Sequence, residues 1–178
     1  MLVKDAQHEV RRVYLGGLIG QAVSGVLWLA SAGLAVWQTP KAGILLLVLG
    51  GFAIYPVISM LLRILGKPAS LSPANPFRYL AIQVAFVLPF SMLLVAPIVA
   101  YRTEWFYPAM MVLLGAHYLP FATLYGMRSF LALAAILIAS GTAIALYLPG
   151  NFSLGGWVTG AVLLVFAVLG HIESRHAA

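Results

Sequence analysis

Apolar residues run through this chain in long blocks, and the polar residues collect between them. A helix that crosses a bilayer needs about 20 mostly apolar residues. Six stretches meet that length: 14–37, 42–65, 77–101, 105–125, 129–148 and 155–170. Each is bounded by a turn or charge signal. Thr39-Pro40 closes the first, and a linker from Gly66 to Pro76 with three prolines and two serines follows the second. Arg102-Thr103-Glu104, Gly126 to Arg128 and Pro149-Gly150-Asn151 separate the rest, and a short polar tail runs from His171 to Ala178. The predicted fold class is all-α, a six-transmembrane-helix bundle in a single integral membrane domain over residues 1–178. Ahead of the first span, Asp5 to Arg12 reads either as a short interfacial helix or as a frayed tail. Asp5 suits a helix N-terminus, where a negative charge meets the helix dipole.

Composition strengthens this reading. Of 178 residues, 63% are hydrophobic and 8% charged, against about 45–50% and about 25% in soluble domains. A water-soluble core of this size cannot hide that many apolar side chains, so lipid is the solvent for much of the surface. The net charge of +6 raises nucleic acid as a partner. Placement argues against it, because the ten basic residues sit at the ends of apolar runs and form no continuous patch.

The same placement gives a topology. Lys4, Arg11, Arg12, Arg63, Lys67, Arg78, Arg128 and Arg175 fall on one set of ends, and Lys41 and Arg102 on the other. Basic residues concentrate on the cytoplasmic side, which predicts both termini in the cytoplasm and contact with anionic inner-leaflet lipids. Trp and Tyr prefer the two interfaces. Trp37, Tyr101, Trp105, Tyr107, Tyr147 and Trp157 fall at the predicted outer face, and Tyr14, Tyr79 and Tyr125 at the inner one. Trp28, Tyr55 and Tyr118 are exceptions. The first span is longer than a signal-peptide core of about 7–15 residues and reads as a transmembrane helix. The absence of cysteine excludes disulfides and thiolate chemistry and suits a bacterial inner membrane.

Spans two and four echo each other. Gly51, Pro56 and Ser59 recur as Gly115, Pro120 and Thr123 at the same offsets, each set followed by a basic residue, Arg63 or Arg128. The preceding spans each carry one early glutamine, Gln21 or Gln83. Both a repeated helical hairpin and coincidence fit this pattern. Pro56, Pro89, Pro97 and Pro120 lie inside spans, where each frees a backbone carbonyl and favours a kinked cavity. Small residues recur every fourth position at Gly16, Gly20 and Ser24, at Gly156 and Gly160, and at Ala135 and Ala139. Such faces allow close helix approach, either within the bundle or in a homo-oligomer.

Depth estimates gather the remaining polar groups into one layer. At about 1.5 Å per residue, His117 lies roughly 12 Å from the basic end of its span, Tyr55 about 11 Å and Ser59 about 5 Å. Gln21 and Gln83 lie about 8–10 Å in, Tyr118 adjoins His117, and Thr123 lies nearer the end. A polar group facing lipid costs several kcal/mol, so these side chains are expected to face inward. His117 is the one ionisable side chain of the Asp, Glu, Lys, Arg and His set deep in a span, which marks it as a functional candidate. A neutral histidine bonding a neighbouring helix is the competing reading.

Several chemistries lack their residues. No Asp, Glu or Lys lies inside a span, which argues against a carboxylate-driven pump, an intramembrane aspartyl protease, a carboxylate di-metal site and a retinal Schiff base. HExxH, Walker and GxSxG patterns are absent. His117 and His171 differ in depth by about 12 Å, which argues against a shared haem, and no cofactor is expected.

Arg11-Arg12-x-Tyr14-Leu15, Asn75-Pro76 and Gly115-x-His117-x-x-Pro120 carry a likeness to other sequences. On these motifs the chain resembles small bacterial polytopic membrane proteins classed as domains of unknown function, and that resemblance implies no activity. Three functions therefore stand as expectations. The first is a transporter or channel-like protein for a neutral or amphipathic molecule, with a cytoplasm-facing cavity lined by Gln21, Tyr55, Ser59, Gln83, His117, Tyr118 and Thr123. The second is a membrane enzyme on a lipid-like substrate with His117 as general acid or base. The third is a non-catalytic assembly partner.

Overall fold

The computed structural model describes residues 1–176. Seven α-helices carry the chain: α1 Val3–Tyr14, α2 Leu18–Trp37, α3 Pro40–Ile64, α4 Arg78–Tyr101, α5 Phe106–Tyr125, α6 Ser129–Tyr147 and α7 Leu154–His176. No strand is present among the described residues. Apart from α1, each helix matches one apolar block. α7 runs into the expected polar tail as far as His176, while residues 177 and 178 lie outside the described part. Five helical stretches are long and apolar enough to cross a membrane. α5 is not among them, since Tyr107, Pro108, His117, Tyr118, Pro120 and Tyr125 lower its hydropathy. Its surroundings compensate, because α5 buries ten of its residues against the other helices.

The six long helices form an incomplete ring. α3 packs on α2, α2 on α7, α7 on α6, α6 on α5, and α5 on α4. Consecutive helices α3 and α4 barely touch, which leaves a seam between them. Glycines set the tightest contacts. A Cβ on Gly160 of α7 would lie 2.5 Å from Leu29 Cγ and 2.9 Å from the Gly25 carbonyl oxygen of α2. The Gly156 and Gly160 run therefore serves the interior, as Gly156 also abuts Ala32 and Tyr107. Ala135 and Ala139 on α6 stay exposed. The echoed glycines differ in surroundings, because Gly115 abuts α6 while a Cβ on Gly51 meets nothing within 4 Å.

Tyr107 departs from the expected interfacial placement and is fully buried. Its hydroxyl pairs with Ser31 Oγ at 2.6 Å, and Ser31 donates onward to the Gly43 carbonyl at 2.8 Å. This network joins α2, α3 and α5. A buried hydroxyl needs such partners, which is why the ring turns inward. Trp37, Tyr79, Tyr101 and Tyr147 stay exposed near the helix ends, as an aromatic belt does.

The N-terminal segment is the amphipathic helix α1, with Ala6, Val10 and Val13 buried. Asp5 accepts from the Leu2 amide at its start. Leu15, Gly16 and Gly17 then take left-handed φ values of 53°, 66° and 89° and turn the chain into α2. A side chain at Gly16 would strike Ser174 and the Gly170 carbonyl on α7. α1 ties the basic end of the bundle together. Gln7 Nε2 donates to the Thr123 carbonyl at 2.8 Å, and Arg11 donates to the Tyr125 carbonyl at 2.6 Å. Those are last-turn carbonyls of α5, which lack helical donors, and a cation there suits the dipole. Glu9 accepts from the Ser72 amide, Ser72 Oγ and Asn75 Nδ2, and Asn75 also donates to the Ala6 carbonyl. The linker between α3 and α4 is thereby fastened to α1. These donors, the Ser72 amide foremost, hold the Glu9 carboxyl below its ordinary value.

Candidate functional site

A cavity of about 250 Å³ lies between α2, α3, α4 and α5. Val10 and Tyr14 line it, so it occupies the half of the bundle beside α1 and the basic end. Gln21, Tyr55, His117 and Tyr118 line it together, as the depth estimates from sequence expect. Ser59 lies instead on an open groove of about 560 Å³ with Arg63 and Ser70, and Tyr55 borders both spaces. Gln83 and Thr123 lie outside the cavity with exposed side chains. Thr123 contributes its carbonyl to Gln7.

The walls are largely aromatic and aliphatic. Phe52, Leu88, Met92, Phe121 and Phe130 line them beside the tyrosines. His117 meets Phe121 edge-on at 5.1 Å and Tyr118 at 5.8 Å between ring centres. Tyr118 stacks on Phe130 at 6.0 Å. These contacts fix the His117 and Tyr118 rings, since aromatic pairs prefer such offset and tilted arrangements.

Two polar atoms on this wall have no protein partner. Gln21 is 3% exposed, yet its Oε1 accepts no hydrogen bond among the described residues. His117 Nδ1 is buried in the same condition. In a neutral imidazole one ring nitrogen donates and the other accepts, so Nδ1 offers one or the other according to tautomer. Buried polar atoms without partners are rare and costly. Here they belong to two residues, on different helices, that both line one cavity, and neither atom is itself exposed on the cavity surface.

Prolines add to the polarity. A proline has no N–H for the carbonyl four residues earlier. Pro56 and Pro89 lie inside α3 and α4, and the residues whose carbonyls they release, Phe52 and Ala85, both line the cavity. Pro97 and Pro120 release carbonyls elsewhere, at Leu93 and Ala116.

The sequence left some lining residues unassigned to a site. Ser24 follows Gln21 by three positions and shares its helix face, and that spacing is a usable signal. Tyr14 and Tyr125 read as interface anchors, yet both turn onto the cavity. Their pairing depends on α1 folding back against α5, which no local pattern announces.

A family of unknown function, DUF7010, matches residues 3–173. The chain belongs to this family. The match takes in α1 and the six long helices up to residue 173 of α7. No curated protein matches the chain, and no solved structure matches it. Family membership carries no activity to the cavity, and its chemistry rests on the residues alone.

Proposed function

We propose that this protein binds and moves a neutral or amphipathic small molecule across a membrane through the cavity beside Gln21 and His117. The observation that carries this reading is a mostly apolar cavity lined by Gln21 and His117, each of which holds a buried polar atom without a partner among the described residues. A site meant only to join helices would satisfy these groups with each other or with backbone. Ligand sites are commonly apolar cavities with a few convergent polar groups. Among the described residues no Asp, Glu, Lys or Arg lines the cavity, so a fully charged ligand would lose its hydration without a counter-charge.

The basic end, where α1, the 65–77 linker and the end of α7 meet, faces the cytoplasm in this reading, following the charge asymmetry. A bacterial inner membrane fits the composition, and the basic residues sit against its anionic inner-leaflet lipids. The exposed Ala135 and Ala139 face of α6 is the part of the small-residue pattern left for contact with a second copy.

The test compares organic extracts of purified wild-type protein and a Gln21→Leu, His117→Leu double variant by mass spectrometry. A small molecule enriched with the wild type and lost from the variant supports the reading. Identical extracts, with both proteins folded, reject it. Conversion of an extracted lipid by the wild type, but not by the His117 variant, would replace carrier with enzyme.

A further inference from the structure

We infer that the cavity takes a neutral, hydrogen-bond-donating lipophile that arrives sideways from the bilayer between α3 and α4. This rests on the binding reading above and names its ligand class and its route.

The route follows from the incomplete ring. Every other neighbouring pair of long helices packs together, while α3 and α4 scarcely touch. Both supply cavity wall, α3 through Gly51, Phe52 and Tyr55, and α4 through Ala85, Pro89 and Met92. Phe52 and Tyr55 line the cavity and are still 63% and 61% exposed. Tyr55 is exposed in part onto the neighbouring groove, while Phe52 stands at the seam itself with the cavity behind it. Gly51 widens the opening, since nothing lies within 4 Å of where its side chain would begin. At the basic end, by contrast, α1 covers the cavity with Val10 and Tyr14.

The ligand class follows from the hydrogen-bonding inventory. Gln21 Oε1 accepts, His117 Nδ1 accepts in one tautomer, and Phe52 and Ala85 carry carbonyls released by proline; the two side-chain atoms meet a ligand once their side chains turn toward it. Such a set calls for an O–H or N–H on the ligand. The aromatic walls suit an unsaturated or ring-bearing body. A volume of about 250 Å³ is that of about eight waters at ~30 Å³ each, so the body is small.

Geraniol and geranyl methyl ether share one apolar body and differ in the hydroxyl donor. Native mass spectrometry of the protein in nanodiscs, titrated with each, reads the class. The expected result is one geraniol per chain, with the ether weaker by about tenfold, the size of one hydrogen bond. Gln21→Leu and His117→Leu each reduce that preference. Equal binding of alcohol and ether, or binding of neither, overturns the ligand class. The route is read from the rate at which geraniol preloaded in the bilayer reaches the protein. Gly51→Trp and, separately, Ala85→Trp should slow it at least tenfold. Unchanged rates in a folded variant overturn the lateral route. A fall in oligomeric state on Gly51→Trp also overturns it, by showing that a second copy closes the seam. Neither failure touches the binding reading, which is judged on the wild-type extract.

Discussion

Two alanine substitutions should act in opposite directions. At Gly160 a Cβ would meet Leu29 Cγ at 2.5 Å and the Gly25 carbonyl at 2.9 Å. The side chain can rotate away, but the carbonyl belongs to the α2 backbone, so α2 and α7 must separate. Overpacking of this kind costs about 1–3 kcal/mol. Removing a glycine from a helix interior returns about 0.5–1 kcal/mol, leaving a net loss of about 0–2.5 kcal/mol. At Gly51 nothing lies within 4 Å, so only the gain of about 0.5–1 kcal/mol applies. The assay is reversible unfolding in mixed micelles followed by circular dichroism. Gly160→Ala should unfold at lower denaturant fraction than wild type, and Gly51→Ala at equal or higher. Equal destabilisation by both would refute the ring arrangement. A Gly160→Ala effect on oligomeric state alone would move the α2–α7 contact to an interface between copies.

Other expectations follow from the same contacts. Ser31→Ala removes two hydrogen bonds and strands the Tyr107 hydroxyl, so it should cost about 1–3 kcal/mol. Tyr107→Phe leaves Ser31 bonded to Gly43 and should cost only about 0.6 kcal/mol; the reverse order in the same assay would discredit the network. The Glu9 carboxyl is held below its ordinary value of 4.5, so its hold on the linker is full above that pH. The hold is lost as pH falls through the lowered folded value. Hydrogen exchange at Ser72, corrected for intrinsic rate, should therefore accelerate on acidification in wild type and show no such dependence in Glu9→Gln. Arg11→Ala should speed exchange in the last turn of α5, and unchanged protection there would remove α1 from its capping role.

The long helices and the basic end were readable from sequence, because apolar length and charge placement are local properties. The depth of Gln21, Tyr55, His117 and Tyr118 was readable for the same reason. Their facing was not. A helix between lipid and other apolar helices is hydrophobic all round, so nothing near Gln83 separates an outward from an inward side. Tyr107 shows the same blindness at a helix start, where an interfacial and a buried tyrosine look alike until Ser31 is placed opposite. The seam was half visible, since the 65–77 linker between α3 and α4 is long for a tight hairpin. Its opening onto the cavity depends on the order of helices round the ring, and that order is a tertiary property.

The most direct test of the central claim is a structure of the wild-type protein in lipid nanodiscs with geraniol present. Ligand density should lie in the cavity with its hydroxyl within hydrogen-bonding distance of Gln21 or His117. An interior closed by repacking, with Gln21 and His117 bonded to other protein groups, would contradict it.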